Sequence, residues 1–181
     1  MCPLKRCGGT VLADNPLDRE SDYSCLSCNH RLEFKQAEMI LSKAEKDIRT
    51  PNNKFNLIEH MENFLYMQSE LLHPLNYIMV TVKLKLGCMY GNCPPYSEET
   101  LPRPLMERKL QVCLDVMDAL DHIDPGYSKW RGKIETELSM ARLIITKHTM
   151  DRPPASYYEK ALVEKQFIKM YQKMYGSVLF T

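Results

Sequence analysis

Four cysteines near the start of the sequence have the chemistry and the spacing of a metal site. Four residues separate Cys2 from Cys7, two separate Cys25 from Cys28, and 17 residues lie between the two pairs. A tetrahedral zinc ion binds sulfur ligands at about 2.3 Å, so each pair must lie on a tight turn that directs both side chains to one point. The pattern therefore predicts a Zn²⁺ site formed by Cys2, Cys7, Cys25 and Cys28.

The predicted zinc is structural rather than catalytic, because four protein ligands leave no coordination position open for water. The lobe that carries it, residues 1–31, is too short to fold by burying apolar surface alone. A structural zinc contributes about 10 to 16 kcal/mol at neutral pH, more than any other single interaction in so small a unit. We therefore expect metal binding and folding of this lobe to be coupled.

Local turns are needed to bring the two cysteine pairs together. Gly8 and Gly9 follow the first pair and are expected to supply the positive φ angles of its turn. Thr10–Leu12 is predicted to pair with the segment around Tyr23, with Asn15-Pro16 helping to form the connection. The lobe is thus expected to contain a short β-hairpin.

Other roles for these cysteines are weaker interpretations. A Cys-x2-Cys pair can be a redox motif, but no thioredoxin-like pattern surrounds Cys25 and Cys28, and a second pair lies upstream. Disulfides are disfavoured because no signal peptide precedes the cysteines and a count of seven is odd for a secreted framework. His30 is expected beside the site or on the surface, since four thiols already complete the ligand set.

The overall composition argues against nucleic-acid binding and membrane insertion. Lysine plus arginine number 24 and aspartate plus glutamate 23, which gives a formal charge of +1. Zinc bound by four thiolates would lower this charge to −1, further from the basic character of DNA-binding domains. No apolar run approaches the roughly 18 to 20 residues of a membrane span. Reduced cysteines in a metal site predict a cytoplasmic and nuclear location.

Beyond the cysteine lobe, apolar residues recur at three- and four-residue intervals, which predicts amphipathic helices. The apolar stripes cover Phe34–Ile48, Leu57–Leu65, Leu75–Met89, Met106–Leu120, Trp130–Ile145 and, more weakly, Tyr157–Tyr175. Six antiparallel helices in hairpin pairs form an α-solenoid or a bundle. No strict repeat of about 34 residues is present, so any tetratricopeptide (TPR)-like repeat is degenerate. The predicted fold is mostly α, with a four-cysteine zinc-binding lobe (1–31) followed by a helical-hairpin, TPR-like domain (32–181).

Helix ends and single side chains carry further expectations. Pro74 is predicted to open the third helix, with His73 in a loop or capping role, and Asp124-Pro125 is predicted to begin the fifth. Gly132, inside the fifth helix, predicts close approach of a neighbouring helix. The charged run Glu107–Lys109 is expected to lie on a solvated helix face.

The remaining cysteines and the tyrosines of the last helix are expected to be mainly structural. Cys88 and Cys93 repeat the spacing of the first pair, but no second pair lies near them, so they are not predicted to bind metal. Cys113 lies on an apolar stripe and is predicted to pack as a small core hydrophobe. The tyrosines and lysines of the sixth helix fit core packing, and a peptide-binding groove is the second interpretation.

Several short segments occur in an order that is typical of one family. In the helical part they are Leu72–Pro74, Met89–Gly91, Leu105–Leu110, Leu120–Gly126 and Trp130–Gly132. In the cysteine lobe they are Cys7–Gly9, Asn15–Asp18 and Tyr23–Cys28, although the family often has tryptophan at the position of Tyr23. Together they resemble the C-terminal part of the Smyd proteins, the SET and MYND domain lysine methyltransferases, and of their arthropod branch in particular. The resemblance covers nearly the whole chain.

The resemblance implies a post-SET zinc lobe and a helical domain that covers the substrate cleft and binds protein partners. Family members carry a SET domain that binds S-adenosyl-L-methionine, interrupted by a MYND zinc finger, before this region. The sequence contains neither domain, and the Asn-His-x-Cys and Cys-x-Cys-x2-Cys elements of the SET site are absent from it. Because positioning a methyl donor needs that domain, this chain alone is expected to be catalytically silent.

These observations predict a non-catalytic C-terminal fragment of a Smyd-like protein that binds protein partners or gates peptide substrates. The alternative is that the complete protein is a protein-lysine (histone) methyltransferase acting in transcriptional regulation, of which this chain is a truncated version. A zinc-ribbon transcription adaptor is a third hypothesis, for which DNA binding with a steep salt dependence would be expected. Motifs of other enzymes, such as a glycine-rich phosphate loop, Gly-x-Ser-x-Gly and His-Glu-x-x-His, are absent.

Overall fold

The computed structural model describes residues 1–4, 6–49, 57–94, 97 and 100–149, without the side chains of 148 and 149. These residues contain three short strands followed by five α-helices. The chain divides into two units, Met1–Val82 and Lys83–Thr181. The predicted class, mostly helical with a cysteine cluster near the N-terminus, is confirmed. The TPR-like repeat and the boundary between residues 31 and 32 stay predictions.

The N-terminal lobe is built on a three-stranded antiparallel sheet. Strand β1 (Val11–Ala13) pairs with β2 (Tyr23–Cys25), and β2 also pairs with β3 (Arg31–Leu32). The predicted hairpin is therefore confirmed, whereas β3 was not predicted because two residues are too few to show an alternating pattern. In the connection, Asn15 Oδ1 accepts the backbone N–H of Leu17 at 3.1 Å, which helps to reverse the chain.

Two of the predicted helices lie in the first unit and contact each other. They are α1 (Phe34–Arg49) and α2 (Leu57–Gln68). The start of α1 is capped from the hairpin, because Asp22 Oδ1 accepts the backbone N–H of Phe34 at 3.0 Å. A carboxylate at this position interacts favourably with the positive end of the helix dipole. The hairpin and α1 are therefore joined by a hydrogen bond as well as by the chain.

Helix α3 (Tyr77–Met89) begins three residues after Pro74, so the prediction that Pro74 opens it is wrong. Asn76 begins the helix instead, and its Oδ1 accepts the backbone N–H of Ile78 at 3.0 Å. An asparagine side chain satisfies one of the free N–H groups at a helix start, which proline cannot do. Of the two roles predicted for His73, the loop role is confirmed, since His73 lies in the turn before α3 and its Nδ1 accepts the backbone N–H of Leu75 at 3.2 Å.

Helices α4 (Arg103–Ile123) and α5 (Lys129–Thr149) form a hairpin in the second unit. Two ion pairs join them, Lys109 with Glu137 and Asp121 with Arg131. Because the later residue of α4 pairs with the earlier residue of α5, the two helices run antiparallel. The predicted hairpin pairing is therefore confirmed for this part of the chain.

The start of α5 differs from the prediction. Ser128 Oγ accepts the backbone N–H three residues later at 3.3 Å, so this serine, and not Asp124 with Pro125, caps the helix. Asp124 instead ends α4 by donating its backbone N–H to the carbonyl of Leu120 at 3.0 Å. Between the two helices, Gly126 has a φ of +112°, a conformation that other residues rarely adopt.

The core of the second unit lies where the end of α3 meets α4 and α5. Its buried members are Leu84, Cys88, Cys113, Val116, Leu120, Ile134 and Leu138. Gly87 allows this contact, because a Cβ at its position would lie 3.0 Å from Cys113 Sγ and 3.4 Å from Ile134 Cδ1. The predicted core role of Cys113 is confirmed by its complete burial. Gly132 is also buried, and its close helix contact stays a prediction.

The buried face of α5 begins later in the helix than predicted. The core contacts of α5 begin at Ile134, whereas Trp130, which was predicted to face inward, is 42% exposed in the first turn. The sixth predicted helix, over Tyr157–Tyr175, lies outside the described residues. Among the helices described here, none is both long and apolar enough to cross a bilayer.

Lys109 contradicts the expectation that this charged stretch of α4 faces solvent. Its side chain is fully buried, and its Nζ lies 2.7 Å from Glu137 Oε2 on α5. Asn92 Nδ2 donates a hydrogen bond to the same carboxylate oxygen at 3.3 Å. Glu107 is exposed as expected and pairs with Arg103. The sequence could not show the burial of Lys109, because its partner comes from another helix.

We expect Lys109→Met to destabilise the protein by about 3 to 5 kcal/mol, because the Glu137 carboxylate loses its buried lysine partner. A double variant with Glu137→Leu should recover most of this loss. Arg103→Ala, which removes an exposed ion pair, is the matched control and should cost about 0 to 1 kcal/mol. Urea unfolding followed by circular dichroism measures all three, and an equal loss in the single and double variants would contradict the buried pair.

Candidate metal centre

The first cysteine pair lies on a turn that is closed by its own backbone. Cys2 donates its N–H to the carbonyl of Gly9 at 2.8 Å, and Cys7 donates to the carbonyl three residues before it at 3.1 Å. Arg6 and Gly8 have φ angles of +73° and +61°, in the left-handed region. The predicted positive φ is therefore confirmed for Gly8. It is wrong for Gly9, which does not have a positive φ.

The second cysteine pair follows β2 directly. Cys25 donates its N–H to the carbonyl of His30 at 2.9 Å and accepts the N–H of Asn29 at 3.0 Å, so residues 25–30 form a closed turn. Asn29 has a φ of +56°, a conformation that asparagine tolerates better than most residues. Cys28 lies within this turn. His30 contributes its carbonyl to the turn, and its ring does not belong to the cluster of ligand atoms.

Pairing of β1 with β2 brings the two cysteine turns together. Val11 lies opposite Cys25 in the sheet register, and Leu26 donates its backbone N–H to the carbonyl of Thr10 at 3.0 Å. Because Thr10 comes directly after Gly9, these bonds hold the end of the first turn against the second. The hairpin thus spans the 17 residues that separate the pairs in the sequence.

The predicted ligands Cys2, Cys7, Cys25 and Cys28 come together in the structure. Their four sulfur atoms all lie within 4.8 Å of one another. The distance is 3.6 Å between the sulfurs of Cys2 and Cys28 and 3.6 Å between those of Cys7 and Cys25. Sulfurs around a tetrahedral zinc lie about 3.8 Å apart, whereas a disulfide bond is about 2.05 Å long. The cluster therefore has the dimensions of a metal-binding set and could hold an ion such as zinc.

The four thiols differ in exposure and in acidity. Cys25 and Cys2 are 1% and 7% exposed, and Cys7 is intermediate, whereas Cys28 is exposed. The backbone N–H of Ser27 lies 3.4 Å from Cys25 Sγ and is the main cause that lowers the pKa of this thiol to about 6. Burial raises the pKa of Cys2. Neighbouring thiolates repel one another, so only a bound cation allows all four to be ionised together.

Gly9 is required by the close approach of the second turn. A Cβ at this position would lie 2.6 Å from both Cys25 Sγ and Ser27 Oγ. Any larger residue would displace the buried sulfur or the turn that carries it. The sequence suggested glycine for its backbone freedom, but the physical reason at Gly9 is space beside a ligand atom.

The three cysteines outside the cluster have different surroundings. Cys88 and Cys113 belong to the core of the second unit, where burial raises the pKa of each thiol to about 12. Cys93 is partly buried and free. Ser27 and Asn29, which shape the second turn, were not predicted from the sequence. A Cys-x2-Cys-Asn segment does carry a signal for Asn29, since asparagine favours positive φ.

The chain matches no protein-family model, no curated protein and no solved structure. The resemblance to Smyd proteins therefore depends on the segments quoted from the sequence.

We expect Gly9→Ala to distort the metal site, because the added methyl group would displace Cys25 Sγ. Overpacking of this kind costs about 1 to 3 kcal/mol, which corresponds to a loss of metal affinity of about 5- to 150-fold. The absorption spectrum of the Co²⁺-loaded protein measures the distortion, since its bands report the geometry of the sulfur ligands.

Gly8→Ala is the matched control for this experiment. It introduces strain at a positive φ, but no atom lies within 4 Å of the added Cβ. We therefore expect lower stability with an unchanged Co²⁺ spectrum. A Gly9→Ala spectrum identical to that of the unmodified protein would show that the close approach is not needed for metal geometry.

Proposed function

We propose that Cys2, Cys7, Cys25 and Cys28 hold one structural Zn²⁺. The observation that carries this proposal is the closed set of four thiols within 4.8 Å. Sulfur ligands in a tetrahedral arrangement favour zinc or iron, and four protein ligands leave no position for a reacting water. The ion would neutralise neighbouring thiolates that otherwise repel one another. Its role is therefore to stabilise the lobe and not to take part in a reaction.

We propose further that the chain is the C-terminal part of a Smyd-like protein, with a post-SET-type lobe and a degenerate TPR-like helical domain. The short segments that resemble Smyd proteins support this assignment. In the helical part they lie at the ends of helices and along α4. Leu72–Pro74 precedes α3, Met89–Gly91 ends it, Leu105–Leu110 lies on α4, and Trp130–Gly132 opens α5. Residues at helix ends set how consecutive helices connect, so such segments are expected to recur among proteins that share one helical arrangement.

The helical domain would act by binding protein partners or peptide substrates, and it would gate access to a substrate cleft in a longer protein. Exposed apolar side chains on the described helices support a binding role. Tyr66 and Met67 on α2 are 77% and 62% exposed. Large apolar residues at the surface often contribute to protein contacts. We place this activity in the cytoplasm and nucleus, without direct contacts to nucleic acid or membrane.

The alternative proposal concerns the complete protein. If a SET domain precedes this region, the whole would be a protein-lysine methyltransferase that uses S-adenosyl-L-methionine, and the helices would cover its substrate cleft. The methyl transfer itself would require that domain, because neither of its sequence elements occurs in this chain. Coding sequence upstream with an Asn-His-x-Cys element distinguishes the enzyme from a separately acting interaction module.

We expect Cys25→Ser and Cys28→Ser each to abolish stoichiometric zinc binding, because a hydroxyl is a poor substitute for a thiolate ligand. Zinc content measured by mass spectrometry should fall from one ion per chain to near zero, and the lobe should lose its structure. Cys93→Ser is the matched control, since Cys93 is partly buried but does not belong to the cluster. An unchanged zinc content in both cluster variants would show that the assignment is wrong.

For the binding role, we expect the full chain to bind a partner peptide with a dissociation constant of about 10 μM, or about −7 kcal/mol. Labelled peptides from histone tails are the probes, and fluorescence anisotropy is the measurement. Tyr66→Ala should weaken binding if α2 forms the contact. Tyr127→Ala should weaken binding if the exposed loop between α4 and α5 forms it instead. Binding no stronger than that of scrambled peptides would count against a peptide-binding domain.

A further inference from the structure

We propose that the cysteine cluster is a peroxide-sensitive modification site in which oxidation links Cys2 to Cys28 and Cys7 to Cys25. Both links join the first cysteine turn to the second, and neither closes a turn on itself. The reactant is a hydroperoxide, with hydrogen peroxide as the simplest example. The inference deepens the proposed zinc site and rests on it, because oxidation would remove the ligands of the metal.

Two sulfur contacts mark one of the three ways to pair four cysteines, in a cluster whose sulfurs all lie within 4.8 Å of one another. Cys2 and Cys28 are in thiol contact at 3.6 Å, as are Cys7 and Cys25. Each of these pairs has to close by about 1.5 Å to reach the length of a disulfide. The pairing of β1 with β2 already holds the two turns side by side. Cross-linking therefore follows contacts that the folded lobe contains.

Exposure identifies the thiol that reacts first. Cys28 is exposed, whereas its contact partner Cys2 and its neighbour in the turn, Cys25, are buried. Oxidation by peroxide follows access and thiolate character. Because the ligands of a bound zinc ion are all thiolates, access decides which of the four sulfurs reacts first. The sulfur of Cys28 attacks one oxygen of hydrogen peroxide, the O–O bond breaks, and hydroxide leaves. The product at Cys28 is a sulfenic acid.

The second step uses the sulfur that touches Cys28. The Cys2 thiolate attacks the sulfenic sulfur, an S–S bond forms, the S–O bond breaks, and hydroxide leaves. A second peroxide carries Cys7 and Cys25 through the same two steps. In total, four thiolates lose four electrons, and two peroxides accept these electrons and, with four protons, become four waters. The cluster then has no thiolate ligand, so the metal ion is released.

The pattern of links determines what happens to the lobe after oxidation. Disulfides between the turns keep the turns together when the metal is lost and restrict the unfolded chain. Disulfides within each turn would leave the two turns connected only by the hairpin. The proposed pattern therefore predicts an oxidised lobe that keeps its sheet and regains its zinc ligands on reduction by a thiol.

The test is a disulfide map of the full, zinc-loaded chain after treatment with hydrogen peroxide. Remaining thiols are alkylated before digestion. Trypsin cleaves after Arg6 and chymotrypsin after Leu26, so the four cysteines fall on four different peptides. Mass spectrometry identifies the linked peptides, a chromogenic chelator measures released zinc, and dimedone traps sulfenic acid at early times.

The expected result is linkage of Cys2 to Cys28 and of Cys7 to Cys25, about one zinc ion released per chain, and early dimedone labelling at Cys28. Linkage of Cys2 to Cys7 with Cys25 to Cys28 would overturn the proposal. So would linkage of Cys2 to Cys25 with Cys7 to Cys28, or a cluster that keeps its zinc and its thiols at peroxide concentrations that oxidise free cysteine.

Two controls separate this inference from the zinc proposal. A purified chain whose lobe is folded without zinc would contradict the structural zinc, and the disulfide map of that reduced chain would still decide the pairing. Cys93→Ser should give the same map as the unmodified chain. Cys88 and Cys113 should stay unmodified in both, since they are buried thiols. Their appearance in linked peptides would show that oxidation follows unfolding and would overturn the proposed route.

Discussion

The N-terminal lobe depends on one constraint, namely that two turns separated by 17 residues must place four sulfur atoms around one point. The register of β1 and β2 satisfies it, because Val11 and Cys25 are paired directly before the second turn. Gly9, at the end of the first turn, also satisfies this constraint, since only a residue without a Cβ fits against Cys25 Sγ. Sheet register and close packing thus bring the four sulfur atoms within 4.8 Å of one another.

The same hairpin also influences the first helix. Asp22 immediately precedes β2, and its carboxylate accepts the N–H of Phe34 at the start of α1. Strand β3, which leads into α1, is paired to β2 as well. Any change that disorders the cysteine turns would therefore affect the strand that pairs with β3 and the cap of α1. The cysteine cluster and α1 belong to one hydrogen-bonded system within the first unit.

The sequence was most informative where the controlling interaction is local. Ligand spacing and apolar periodicity depend on neighbouring residues, so the cysteine cluster and all five described helices were predictable. Asn76 and Ser128 are also local signals, because each directly precedes a helix. The prediction instead placed the helix starts at the nearby prolines 74 and 125, which was wrong. Lys109 and Gly9 were not predictable in this way. The burial of the first and the tight contact of the second are set by residues distant in the chain.

The two units contain buried charge of different kinds, and this difference has consequences for function. In the second unit, Lys109 and Glu137 neutralise each other through side chains that both belong to the protein. Their pairing persists as long as the α4–α5 hairpin is folded. In the cysteine lobe, four clustered thiols need a cation from solution to be ionised together. A chelator would remove such a cation, acid would protonate the thiolates that bind it, and an oxidant would convert these thiolates to disulfides. The stability of the lobe can therefore respond to the chemical environment, whereas the ion pair in the helical hairpin offers no such exchangeable component.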